Sequence, residues 1–363
     1  MKWVLAGLFW LWISLVAGLS VASDTFEIVA EFTEAPGNIA VARDGRIFMS
    51  LHQFYEPRYS VVEVLPDHSI VPFPNSDLNQ RNDTGKLRLD SVLGIQADND
   101  GIVWMLDNGL RSEVAPKLVA WDTRKNRLHR VIYFTPPSAP ANAFVNDLAV
   151  DKTRNRIFIS DPAGGDNAAL IVVDLETGLT QRVLEGERSV IPENLDLLID
   201  GRPLRMSGPD GKIIQPHIGV NPIAEDSTNE WVYFGAMHGQ SLFRIPAVDL
   251  ADMTHDAQSL ANKVEKYSEK PISDGIAMDH ENNIYLGQLE SNAIGVVTPN
   301  KKYIQLAQSP KLSWVDSLAV GPDGWVYAVV NQLHLSAPLN AGEKRSKPPY
   351  YLVRMRPLNL NEL

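Results

Sequence analysis

Six near-copies of one short pattern constrain this 363-residue chain more than any other feature. Each copy has a polar lead-in, an apolar pair, a turn rich in Asp, Asn or Gly, and a second apolar strand. The copies read GNIAVARDGRIFMS from Gly37, VLGIQADNDGIVWMLD from Val92 and VNDLAVDKTRNRIFISD from Val145. They continue as VNPIAEDSTNEWVYFG from Val220, ISDGIAMDHENNIYLG from Ile272 and VDSLAVGPDGWVYAVV from Val315. Strands rich in Ile, Val, Trp, Tyr and Phe on either side of such turns mark β-hairpins. Their first aliphatic residues, Ile39, Ile95, Leu148, Ile223, Ile276 and Leu318, stand 56, 53, 75, 53 and 42 residues apart. Further strand candidates with the same turn chemistry, KLVAWDTRKNRLHRVIYF and ALIVVDLETGLTQRVL, lie between copies. About four strands per unit and six units predict an all-β protein, a six-bladed β-propeller filling residues 23–363 as one domain. A β-sandwich or a two-domain all-β protein is the competing architecture.

The longest interval needs an insertion, and residues 186–216 supply it. Their Pro and Gly content predicts a loop lying over one face. The segment AVDLADMTHDAQSLANKVEKY is the best candidate for a short helix, on the outside of blade four or five.

Residues 1–22 read as a secretory signal peptide: Lys2, an uncharged apolar run from Trp3 to Gly18, then small residues up to Ala22. An uncleaved membrane anchor is the alternative, for which the run is short. Secretion, or export to a bacterial periplasm, with no stable membrane anchor after cleavage, is the expectation. The formal net charge is −11, and loss of Lys2 with the leader makes it one unit more negative. Such a chain, with no Lys/Arg cluster, repels phosphate backbones, so nucleic acid is not an expected partner. It contains no cysteine, which excludes thiolate catalysis, thiolate metal sites and disulfides.

In a propeller the first strand of each blade lines the central channel. Two residues before each aliphatic anchor stand Gly37, Leu93, Asn146, Asn221, Asp274 and Asp316. Four Asn or Asp oxygens in one register, aimed at one channel mouth, are the donor set of a hard divalent cation such as calcium. Neither His nor Cys falls in that register, against a dedicated zinc or copper site. Asp274, Asp316 and His217, four residues before Asn221, are the candidate proton-transfer groups. His238 and Trp314 are candidate ligand contacts, Trp314 as an aromatic wall. Asp107 reads as a tie between blades through backbone N–H groups. Gly-rich phosphate loops, dinucleotide fingerprints and nucleophile elbows are absent from the sequence.

The stretch VWMLDNG, residues 103–109, resembles the Leu-Trp-Val-Leu-Asp-x-Gly hallmark of the major royal jelly/yellow protein family. KLVAWD, NDLAVD, RIFISD and LIVVDLETG follow in that family's order, and the resemblance runs from about Gly37 to Pro357. It implies a secreted six-bladed propeller. Some insect members bind small amines or are linked to dopachrome rearrangement, and bacterial relatives are commonly labelled dopachrome-tautomerase-related. A more distant resemblance to the gluconolactonase/regucalcin family implies a metal set of Glu34, Asn221 and Asp274, with Asn146 facing substrate. Here Asn221 is followed by Pro where that family has Gly, and Glu34 by Ala-Pro-Gly. The expected function is action on, or binding of, a small molecule in the channel. The leading form is a metal-assisted hydrolase or isomerase of lactonase type. The alternatives are an amine- or aromatic-binding protein and a dopachrome-type isomerase.

Overall fold

The computed structural model describes residues 25–79, 86–208 and 210–359, so the expected leader lies outside the described residues. Six four-stranded antiparallel sheets form a closed ring, as the repeats predict. Their inner strands are Pro36–Val41, Val92–Ala97, Asp147–Asp151, Val220–Glu225, Ile276–Met278 and Val315–Val320. Each pairs with the strand that follows it. Each of these hairpins turns on one residue in the left-handed region: Gly45, Gly101, Asn155, Asn229, Asn282 or Gly324, with φ between 54° and 85°. Glycine has no Cβ to clash there, and Asn tolerates the conformation, which is why the turns carry those residues. In every one of these turns an aspartate accepts from the backbone it turns, for example Asp98 from Ile102 N at 3.0 Å, Asp226 from Glu230 N at 2.8 Å and Asp279 from Asn283 N at 2.9 Å.

The core lies between blades. One buried apolar cluster joins each neighbouring pair, for example Trp104 and Leu106 of blade two with Ile157 and Ile159 of blade three. Both faces of a blade are therefore covered, which explains why its strands read as nearly continuous apolar runs. The ring is closed by the N-terminus: Glu27–Phe32 pairs with Tyr350–Met355 as the outermost strand of blade six. Two short helices, Ala247–Ala251 and Ala257–Ala261, fall within the segment read as helical, between the last two strands of blade four.

The insertion after blade three is more than a loop. It folds into two small hairpins, Leu198–Ile199 with Arg202–Pro203 and Met206–Ser207 with Ile213–Ile214. Leu197, Ile199 and Leu204 pack on Met237, Ile272, Leu289, Trp314, Leu333 and Leu339, a seventh cluster beneath the insertion. Backbone bonds from Arg205 N to Leu339 O (3.0 Å) and from Ala341 N to Arg205 O (2.7 Å) fasten it to blade six. A segment rooted in blades three and four is thus drawn over the ring as a lid. Among the described residues no helix is long and apolar enough to cross a membrane.

Candidate functional site

The register lies where the inner strands are irregular or not yet paired. In blades one, two, four and six the pairing of the inner strand slips at its start, between Pro36 and Ile39, Val92 and Ile95, Val220 and Ile223, and Val315 and Ser317. Such irregularities re-aim side chains. Gly37, Leu93, Asn221 and Asp316 lie inside these slips, while Asn146 and Asp274 stand one and two residues before their paired strands. Two glycines let the inner strands crowd together here. Gly94 N donates to Asn146 O at 2.7 Å and Gly275 N to Asp316 O at 2.8 Å. A Cβ on either glycine would lie 2.7 Å from that same carbonyl.

The four polar register residues meet. Asn146 Nδ2 donates to Asn221 Oδ1, and Asn221 Nδ2 donates to Asp274 Oδ1. Asp274 Oδ2 accepts from the indole N–H of Trp314 at 2.7 Å. Asp316 accepts from Asn331 Nδ2, whose amide also donates to Pro36 O at 2.8 Å. All four line one cavity of 710 Å³ between the channel mouth and the lid. One level below, Asn38 Nδ2 reaches Asp147 Oδ1 at 3.3 Å, linking blades one and three beneath this cavity.

Charge is unbalanced in this channel. Burial, together with the neighbouring Asp147 carboxylate, pushes Asp274 up to about 7. The bonds from Trp314 and Asn221 and the cation of Lys270 pull the other way. Burial and the repulsion of Asp274 hold Asp316 well above the usual carboxylate range. Burial alone takes Asp147 to about 7 against the bonds from Leu148 N–H and Asn38. The nearby buried cation, Lys270, is itself lowered to about 7 by burial, and its Nζ donates to Gly239 O at 2.8 Å and Pro271 O at 3.2 Å. Of the three carboxylates only Asp274 feels the Lys270 cation, so the centre lacks balancing positive charge.

Three expected roles change. Glu34 is not among the residues lining the cavity. It sits in the connection between the closing strand and blade one, and its carboxylate accepts from Arg58 N at 3.0 Å. Trp314 does line the cavity but is fully buried, held at φ 62° and stacked on His334 at 6.0 Å, so it mainly backs Asp274. His238 is also buried, and its Nδ1 accepts from Ile218 N at 3.1 Å. Burial lowers it to about 4, so it is a neutral prop for the segment carrying His217 and not a ligand contact. His217 itself is half-buried and lines the cavity.

Sequence reasoning missed Asn331, Asp147, Asn38 and Lys270. Asn38 and Asp147 each lie one residue past the polar register, so reading the neighbouring register as well would have found them. Lys270 and Asn331 carry no such signal. His52 also lines the cavity as a neutral ring, lowered to about 3 by burial, with Nδ1 accepting from Phe54 N at 3.2 Å. Asp107 bonds backbone N–H groups as read, but within blade two and its lead-in and not between blades: it accepts from Asp90 N, Ser91 N and Gly109 N and pairs with buried Lys117 at 2.6 Å.

Comparison with known proteins agrees with this architecture. A gluconolactonase from Xanthomonas campestris superposes with a TM-score of 0.55 at 10% identity, covering 92% of this chain and 89% of that one. A luciferin-regenerating enzyme gives 0.56 at 12% identity, with 92% and 95% covered. A putative gluconolactonase gives 0.51 at 13%, with 93% and 95% covered. At such identities the likeness is one of fold. No curated protein matches the chain. The description "Major royal jelly protein" matches residues 90–347, well over half the sequence and including VWMLDNG, and the chain therefore belongs to the major royal jelly protein family.

Proposed function

We propose that the lidded cavity is the active site of an exported hydrolase of lactonase type, assisted by a divalent cation. The observation that carries this reading is the row Asn146–Asn221–Asp274 beside Asp316, an oxygen-rich floor with more negative charge than its surroundings balance. Among the described residues no three His, Cys, Asp or Glu side chains form a metal-binding group. The cation would therefore rest on a mixed set, Asp274 with the amide oxygens of Asn221 and Asn146. That is a hard-oxygen set, suited to calcium. Bound there, a divalent cation supplies polarisation of a carbonyl oxygen and relief of the carboxylate repulsion.

The protein's own groups do the rest. Asp316, held above the usual carboxylate range by burial and by Asp274, is placed to accept a proton from water, with Asn331 holding its orientation. The water oxygen bonds to the lactone carbonyl carbon, the ring C–O bond breaks, and the proton passes to the departing alkoxide. His217 is the second proton-transfer group facing the same cavity. The lid excludes bulk water. Elemental analysis of the purified mature protein, with lactone hydrolysis measured for wild type, Asn221→Ala and Asp274→Ala, tests the reading. Both variants are expected to lose cation and activity together. Full activity and cation content in both would sink it. Export rests on residues 1–22, and a mature chain beginning at Ser23 by mass spectrometry is the expected result.

A second reading draws support from the charged residues of the cavity wall, Asp166, Glu193, Asp274 and Asp316, which are all acidic. Such a wall suits an organic ammonium ion without catalysis. Tight amine binding that is indifferent to EDTA, measured by calorimetry, favours this reading over the first.

A further inference from the structure

Resting on the hydrolase reading, we infer that the substrates are lactones bearing an apolar tail, not polyhydroxylated sugar lactones. The cavity is zoned by depth. Its exposed rim is polar, with Asn142, Asp166, Asn194 and Gln215, and its floor is the polar register. Between them runs an apolar belt: Phe54 and Phe144 half-buried, Met206 from the lid, and buried Met237, Leu333 and Leu339. A sugar lactone carries hydroxyl groups around its whole ring. Those facing this belt would lose water without gaining a partner, a penalty of the kind that makes apolar sites reject polar ligands. A lactone with one polar end and one alkyl or aryl tail satisfies floor and belt together.

The lid adds an independent observation. Its hairpins leave Leu198, Ile213 and Ile214 between 43% and 45% exposed, and Ile214 also lines the cavity. A large aliphatic side chain such as Ile214, exposed where it lines the cavity, suits the passage of an apolar ligand. Among the described residues no Lys or Arg lines the cavity, so away from the cation an anionic substrate meets only like charge. The hydroxy-acid product of lactone opening is such an anion, and the acidic wall favours its departure.

The test is a tail-length series at fixed ring chemistry: γ-butyrolactone, γ-octalactone and γ-dodecalactone, set against glucono-δ-lactone. The expected result is a kcat/KM that rises by about fourfold per buried methylene until the belt is filled. Glucono-δ-lactone should be the poorest substrate. Calorimetry with the matching alkyl lactams, which resist hydrolysis, should show the same trend in affinity. Ile214→Asp changes an exposed residue and should fold normally. It should lower the dodecalactone-to-butyrolactone ratio of kcat/KM by about tenfold. Rates and lactam affinities indifferent to tail length, or a preference for glucono-δ-lactone, overturn this inference and leave the hydrolase reading standing. No hydrolysis of any lactone overturns the hydrolase reading, and this inference falls with it.

Discussion

The Trp314 indole N–H donates to Asp274 Oδ2 at 2.7 Å, so a fully buried aromatic residue holds the central carboxylate of the cavity floor from behind. The same ring stacks on His334 with an interplanar angle of 13°. Trp314→Phe keeps a ring for that stack and removes only the donor. A hydrogen bond to a charged group contributes about 1.5–3 kcal/mol. Its loss should raise the Asp274 pKa beyond about 7, because the bond favours the ionised form. The acid limb of cation binding should shift upward by about one pH unit or more. A variant whose cation affinity follows the wild-type pH profile would show that the bond does not tune Asp274.

Asp274 also makes a prediction for stability. Its folded pKa, about 7, lies above the ordinary carboxylate value, so between those limits the folded state binds more protons than the unfolded chain. Stability then falls as pH rises through that window, and the loss is complete above about 7. Asp147 adds the same slope. Buried His52, His238 and His334 oppose it: their folded pKa values, about 3, 4 and 4, lie below the unfolded value, so they weaken the fold as pH drops below about 6.5. The discriminating quantity is therefore a difference. Asp274→Asn should gain stability relative to wild type as pH rises from about 4 to 7, measured by denaturant unfolding without added divalent cation. A constant difference across that range would contradict the assignment.

What the sequence discloses follows from how local each cause is. The six hairpins are legible because a left-handed turn position demands Gly or Asn each time, from Gly45 to Gly324. The site register is legible because it keeps a fixed distance from the first aliphatic residue of each inner strand, so Asn146, Asn221, Asp274 and Asp316 align when the repeats are aligned. Closure by Glu27–Phe32 is hidden, since pairing between the two ends of a chain leaves no repeat to detect. Glu34 misleads because its type and position match a metal-binding motif, while its side chain is taken up by Arg58 N. Trp314 misleads for a related reason. Its place before Val315 is visible, but the positive φ and the packing under the lid that bury it are not.

Asn331, like Lys270, is revealed by the structure alone, and its removal should be costly. It is fully buried at the end of the second strand of blade six. Its amide donates to Pro36 O and to Asp316, and its Oδ1 accepts from Leu333 N at 3.0 Å. Asn331→Ala strands all three, and each buried unsatisfied group costs about 1–3 kcal/mol. A fall in the thermal midpoint is expected. A purely structural role would stop there. Loss of the donor should also raise the Asp316 pKa, moving the acid limb of activity upward in the fraction that folds. An unmoved pH profile would leave Asn331 as a packing residue alone.

The N-terminal strand should behave as a clasp whose strength lies in packing and pairing, not in its surface ion pair. Glu27 and Arg354 meet at 2.8 Å, but their side chains are 53% and 34% exposed, and such pairs contribute about 1 kcal/mol or less. Ala30 and Phe32 are buried, and they join Met49, Val62, Val329 and Leu352 in the cluster between blades six and one. Glu27→Ala should therefore be nearly silent in thermal unfolding. Phe32→Ala should cost about 3–5 kcal/mol, as other deletions of buried aromatic rings do. Deleting residues up to Phe32 should be worse than either, because it also leaves Tyr350–Met355 as an open sheet edge. The deletion variant should aggregate on purification, and a synthetic peptide of residues 25–34 added during refolding should restore monodisperse protein by light scattering. A deletion variant as soluble and as stable as wild type would mean that five and three-quarter blades suffice.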